Sequence, residues 1–279
     1  MFHEILQASE DGAHEVGHQN HLRLPNKDEP ALIQTYFPGV LDNVDRDVTC
    51  PCVAILPGGA YAFASVREAE PVALQMVAWG FAACVVTYSC ALARYLAALV
   101  QAAGAVDYLR RYTAQFHIDP SCIFPMGFSA GGHLACDLGC EWQEPWLAKR
   151  VGAPSEDLRP TGLVLGYPVI SLSEFVHKGS FQNLCGDDAQ LMEWLSLEKC
   201  VTEDMPPTFV FHTLEDSSVP VENSLLLAEA MRKAGMSFTL RVFPYGEHGL
   251  LLATPEVGRR GKEGQVQPLM PCWLDLVAD

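Results

Sequence analysis

The chain has 279 residues, with 18 Lys and Arg against 34 Asp and Glu, so its net charge is −16 with nine His taken as neutral. That acidity excludes nucleic acid and anionic membrane surfaces as expected partners, because few cations are on hand to displace phosphate counterions. A composition of 49% apolar and 19% charged residues is globular, and the length suits one domain, residues 1–279, with a full core.

No stretch supplies the roughly 18 uncharged apolar residues of a spanning helix. The most apolar, Tyr95 to Val106, contains Gln101 and is flanked by Arg94 and Asp107. The opening MFHEILQASEDG has acids where a secretory leader has Lys or Arg, so export is not expected. The ten cysteines then read as reduced thiols of a cytoplasmic protein, several of them small hydrophobes in runs such as ACVV and SCIF. No CxxC pair suggests a zinc ribbon.

In chain order, residues 1–30 read as an extension or an edge element. Their His14, His18 and His21 have a metal-like helical spacing, but Gly12, Gly17 and Asn20 oppose a helix and no metal site is expected. Strands are expected at Leu32–Phe37 and Val53–Leu56. The second runs into Pro57-Gly58-Gly59-Ala60-Tyr61, where small residues let backbone N–H groups approach a ligand. This segment reads either as a simple glycine turn or as a loop of oxyanion donors from Gly59 and Ala60; it lacks the G-K-[ST] of a phosphate loop.

A helix is expected over Glu68–Trp79. Arg67, Glu68 and Glu70 stand at its start, where the helix dipole accounts for acids whatever the function. There follow a strand Ala82–Tyr88, a helix Ala93–Phe116, a strand Cys122–Met126 and a helix Ala130–Cys140. Between the last two lies Gly127-Phe128-Ser129-Ala130-Gly131, a G-x-S-x-G on a strand-to-helix turn. Such a turn exposes a serine hydroxyl, and the helix N-terminus adds the Ala130 N–H as a donor. Pro125 dissents, because a central strand needs the N–H that proline lacks. On the helix, His133 reads as structural, and Cys136 and Cys140 as packing residues.

Residues 141–160 and 171–207, with Trp142, Trp146 and Trp194, break the β–α rhythm and read as specificity loops. The tryptophans suit either core packing or stacking on a sugar or aromatic acyl group. Between the loops lies a strand Leu163–Tyr167; after them come a strand Thr208–His212, a helix Val221–Ala234 closed by Gly235, and a strand Thr239–Phe243. Most strands are continuous apolar runs, as in a parallel sheet covered on both faces. Just past two of them stand Asp216, with Glu215 as a rival acid, and His248, so an alcohol, an acid and an imidazole come from three strand ends in the order Ser, Asp, His. His212 ends an apolar run and reads as a buried histidine rather than a base.

The segments ILPGGAYAFASVREAEPVA, VVTYS, GFSAGGHLACDLG, GYPVIS, PPTFVFHTLEDSSVPVENSLLLAEAM and FPYGEHG cover most of residues 50–250. They resemble the esterase and lipase branch of the α/β-hydrolase superfamily, and within it the bacterial xylan-esterase-like group that includes acetyl-xylan and feruloyl esterases. The resemblance implies an α/β-hydrolase fold with Ser129 as nucleophile, Asp216 as acid, His248 as base, and oxyanion donors at Gly59, Ala60 and Ala130. It implies no metal or organic cofactor, and an ester substrate that is a small molecule or an acylated oligosaccharide. Pro57 and Ala60 stand where the broader branch has His and a third Gly; both changes keep the backbone. Alternatives are a general short-chain carboxylesterase or lipase, an acyl-peptide hydrolase, and a non-catalytic binding protein on the same fold.

Overall fold

The computed structural model describes residues 5–8, 14–17, 21–22, 31–38, 48–171, 175–255 and 257–258. Within them lie strands β1 (Ile5–Ala8), β2 (His14–Gly17), β3 (His21–Leu22), β4 (Ala31–Tyr36), β5 (Cys50–Leu56), β6 (Ala82–Thr87), β7 (Ile118–Phe128), β8 (Leu163–Gly166), β9 (Thr208–Thr213) and β10 (Phe238–Phe243). One sheet runs in the order β10-β9-β8-β7-β5-β6-β4-β3-β1-β2. From β10 to β6 every pairing is parallel, and β4 joins β6 antiparallel. The segments in the first 30 residues extend the sheet at its far edge.

The helices are α1 (Glu70–Ala78), α2 (Ala97–Arg111), α3 (Thr113–Phe116), α4 (Ala130–Glu141), α5 (Pro145–Val151), α6 (Ser155–Leu158), α7 (Lys178–Cys185), α8 (Ala189–Trp194) and α9 (Glu222–Ala234). Alternation along the strands shows why apolar runs were needed. Cys52, Ala54 and Leu56 of β5 pack into one core with α2, α4 and α9, while Val53 and Ile55 pack into a second core with α1 and Leu250–Ala253. The resemblance to a mostly parallel sheet with helices on both faces holds.

Three expected elements are redrawn. The helix expected over Glu68–Trp79 is a 3₁₀ turn, Val66–Glu68, followed by α1. Pro71 sits in the first turn of α1, where its missing N–H costs nothing. The helix expected from Ala93 begins only at Ala97 and is interrupted at Tyr112. Tertiary bonds hold its start outside the helix: Tyr95 N donates to Leu184 O at 2.9 Å, and the Arg94 guanidinium to Gln182 O and Asn183 O. The strand expected over Cys122–Met126 extends from Ile118 to Phe128 and keeps Pro125. Ile123, two residues earlier and so on the same side, bonds Thr161, and the ladder with β8 starts only at Met126. The proline thus falls before the first paired position on the side it faces.

A cavity of about 560 Å³, lined by Phe81, Phe124, Phe209 and Phe238 among others, opens at the N-terminal ends of the strands, away from the site described next. The nine cysteines among the described residues are all free, and Cys136 and Cys140 are buried on α4. Among the described residues no helix is long and apolar enough to cross a membrane, and no His, Cys, Asp and Glu cluster could hold a metal ion. His14 and His21 lie on strands, and His18 and Cys272 lie outside the described residues.

Candidate active site

Ser129 ends the turn between β7 and α4 with φ 54° and ψ −117°, a conformation an L-residue rarely adopts. Such strain costs on the order of 1–3 kcal/mol and persists only where surroundings impose it. Here Ser129 N donates to Gly166 O at 2.9 Å, and Ser129 O accepts from His133 N and Val169 N. The motif's glycines are required by space. A Cβ on Gly127 would lie 2.1 Å from Gly131 O, and one on Gly131 would lie 1.9 Å from Leu56 O. Sequence and strain therefore agree on one serine, 6% exposed, at the C-terminal end of β7.

His248 and Asp216 meet it there, although 119 and 87 residues separate them from Ser129 along the chain. His248 Nε2 lies 2.8 Å from Ser129 Oγ, and His248 Nδ1 lies 2.6 Å from Asp216 Oδ2. A carboxylate can only accept, so Nδ1 carries the proton and Nε2 presents its lone pair to the serine hydroxyl. Asp216 is 5% exposed. Burial alone would raise its pKa, but bonds from the His212 and His248 rings and from Val219 N–H outweigh that and hold it well below the usual carboxylate range. Glu215, the rival acid, turns away: its Oε2 accepts from Gly246 N–H at 2.8 Å. Thr213 Oγ1 donates to Gly246 O at 2.7 Å, so both backbone groups of Gly246 are held, which clamps the loop bearing His248.

The loop after β5 passes beside the serine. A Cβ on Gly58 would lie 2.9 Å from Ser129 Cβ. Gly59, Ala60 and Tyr61 take φ of 130°, 56° and 57° in succession, which winds the chain tightly. Ala62 and Phe63 bond back to Gly59 O, and Gly58 N–H goes to Glu68. Among the described residues the N–H groups of Gly59 and Ala60, between them, have no protein partner. Ala130 N–H is at the open N-terminus of α4, whose dipole end is positive.

Several contacts at the site lay outside the sequence reading. Glu68, noted only as an acid at a helix start, is buried at 5% exposure and accepts from both Gly58 N–H (2.7 Å) and Tyr167 O–H (3.0 Å). Tyr167 stands edge-on to the His248 ring at 5.0 Å. Asn183 on α7 donates to Ala60 O at 2.9 Å, and His177, the N-cap of α7, is near enough to His248 for their charges to interact. The 171–207 segment thus reaches the loop after β5. Reading 171–207 as a specificity loop was the one sequence signal for these contacts; nothing in the sequence pointed to the burial of Glu68. His212 is fully buried as expected, with Nδ1 on Ser224 Oγ and Nε2 on Val219 O. Trp142 is buried with its N–H on Asp204 O, whereas Trp194 is half exposed against Tyr95.

His133 is structural: its Nε2–H donates to Leu195 O, so Nδ1 accepts from the Tyr61 hydroxyl at 2.9 Å. Burial lowers its pKa from 6.5 to about 4. Between those values the unfolded chain binds a proton that the fold excludes, so stability falls as pH drops from 6.5 to 4, by roughly 3 kcal/mol from this residue. His133→Gln is expected to be less stable than wild type at pH 7, with the gap narrowing toward pH 4.5. Urea unfolding at several pH values reads this; a gap that stays constant refutes it.

A family model described as BD-FAE matches residues 40–231. Endo-1,4-beta-xylanase B of Butyrivibrio fibrisolvens is 34% identical over 223 residues, 77% of this chain; the chain spans 34% of the length of that relative. Among solved structures, an acetyl ester-xyloside bifunctional hydrolase from Caldicellulosiruptor lactoaceticus is similar with TM-score 0.74 and 37% identity, covering 92% of this chain and 91% of its own. A carboxylesterase from Lactobacillus plantarum is similar with TM-score 0.80 and 29% identity, covering 91% and 94%.

Proposed function

The chain belongs to the BD-FAE family and has the α/β-hydrolase fold, and on that premise we propose that it is a serine esterase that removes acetyl or similar acyl groups from sugars or xylo-oligosaccharides. The observation that carries the ester chemistry is the unbroken row from Ser129 Oγ through His248 to Asp216, beside a loop with N–H groups to spare. The sugar part rests on the similar proteins whose names join xylan or xyloside to their activity. The free thiols are compatible with a reducing compartment, and cytoplasmic location is part of the proposal.

In this mechanism His248 Nε2 takes the Ser129 proton as Oγ attacks the ester carbonyl, forming a tetrahedral oxyanion. The N–H groups of Gly59, Ala60 and Ala130 hold that charge, and each such donor can be worth about 3 kcal/mol. The C–O bond to the alcohol then breaks, and His248 returns its proton to the departing oxygen. A water, deprotonated by the same imidazole, attacks the acyl-serine and releases the carboxylic acid and the free hydroxyl of Ser129. Asp216 fixes the imidazole tautomer and offsets its transient charge.

Incubation with acetylated xylo-oligosaccharides, p-nitrophenyl esters and acyl-peptides tests the reading. Acetate release from the oligosaccharides is the expected result. Turnover of p-nitrophenyl esters alone would mean a general carboxylesterase, and cleavage of acyl-peptides alone would change the substrate class. No turnover, together with no labelling of Ser129 by a fluorophosphonate, would leave only a binding protein on a hydrolase fold.

A further inference from the structure

The mechanism above leaves Glu68 without a task, yet a carboxyl is costly to bury unless its bonds repay it. Burial pushes its pKa up, while the Tyr167 hydroxyl, the charge of His248, the Gly58 N–H and Arg67 act in the opposite direction. The two donors come from opposite sides of the site. Glu68 Oε2 takes the Gly58 N–H at the root of the oxyanion loop, and Oε1 takes the hydroxyl of Tyr167, whose ring meets the imidazole at 5.0 Å. The other groups around Gly58 are also held: Gly58 O accepts from Ser65 N, and Pro57 O accepts from the Tyr88 hydroxyl at 2.6 Å.

Packing makes the arrangement unforgiving. A Cβ on Gly58 would meet Glu68 Oε2 at 2.7 Å and Ser129 Cβ at 2.9 Å, so carboxyl, loop and serine are stacked with no slack. The preceding residue faces the base loop. Arg67 Nε donates to Val257 O at 2.6 Å and its Nη2 to Gly249 O at 3.2 Å, next to His248. One 3₁₀ turn therefore grips the oxyanion loop and the base loop together.

We infer that Glu68 is a positioning residue for ester cleavage: its two carboxyl oxygens fix the Gly58 peptide that aims the Gly59 and Ala60 N–H groups, and the Tyr167 ring that backs the His248 imidazole. The inference rests on the esterase reading of Ser129. Gln at position 68 keeps the shape but offers one acceptor instead of two, so donors and base drift while the substrate pocket stays. Misplacement of this kind costs up to about a hundredfold in rate.

The test compares wild type, Glu68→Gln and Tyr167→Phe. It measures kcat and KM for p-nitrophenyl acetate and inhibition by benzyl trifluoromethyl ketone, whose serine adduct places an oxyanion in the hole. For Glu68→Gln, kcat is expected to fall about 30- to 100-fold with KM within about threefold, and the ketone to weaken by a similar factor. Tyr167→Phe, which removes one donor without changing shape, is expected to lose about three- to tenfold in kcat and in ketone affinity with KM little changed, and carries the test if the first variant does not fold. Either variant with wild-type kcat, a loss confined to KM, or undiminished ketone affinity would overturn the inference. If the wild type itself neither cleaves the ester nor binds the ketone, the esterase reading has failed and this inference with it.

Discussion

Ser129→Ala is expected to lower p-nitrophenyl acetate turnover by about 10⁵- to 10⁶-fold while leaving the melting temperature within a few degrees of wild type. The size follows from covalent chemistry: without Oγ there is no acyl-enzyme, and what survives is water attacking an ester held by the oxyanion donors. The small thermal effect follows from the backbone. Ser129 is held at φ 54° by bonds from its own main chain to Gly166, His133 and Val169, and alanine keeps every one of them. The side chain is 2.8 Å from His248 but ties no element of the core. Steady-state kinetics with calorimetry on the same preparation checks both halves. Turnover within tenfold of wild type would remove Ser129 as nucleophile, and a collapsed melting transition would make the comparison one of folding.

Asp216→Asn is expected to cost about 10⁴-fold in kcat, and Glu215→Gln no more than about tenfold, although the two acids are adjacent. Asp216 Oδ2 accepts the His248 Nδ1 proton at 2.6 Å. An amide there can donate, which favours the tautomer with its proton on Nε2 and leaves Ser129 facing an N–H instead of a lone pair. Glu215 only steadies the loop through Gly246 N–H. Equal losses in both variants would mean that loop order, not tautomer control, sets the rate. The depressed pKa of Asp216 has a sign that bears on acid stability. Its folded value lies below its unfolded value of about 3.9, so its contribution is present above that pH and is lost only as pH falls through the folded value. Asp216 is therefore expected to stay ionised near neutrality.

The strands were readable because a parallel sheet covered on both faces demands continuous apolar runs, and β5, β6 and β9 have them. The elbow was readable for a similar reason: with Cβ positions at Gly127 and Gly131 inside 2.2 Å of backbone, the motif leaves little choice of residue. Helix limits were less legible. The chain from Ala93 to Leu96 has no breaker strong enough to forbid helix, and the bonds that hold Arg94 and Tyr95 out of it come from residues 182–184. The burial of Glu68 was not legible because an acid at a helix start looks the same on paper whether it is solvated or buried.

From the order of its residues alone, this protein's fold class, its strand-ends and the identities of the serine, imidazole and acid candidates could be stated, because local periodicity and turn chemistry encode them. Which of two adjacent acids faces His248, whether Glu68 is surface or core, and how the 171–207 segment reaches Ala60 were decided only by tertiary packing. Those are matters of side-chain direction and of contacts between elements remote in the chain, and hydrogen bonds a few tenths of an ångström long or short have no signature in a one-dimensional pattern.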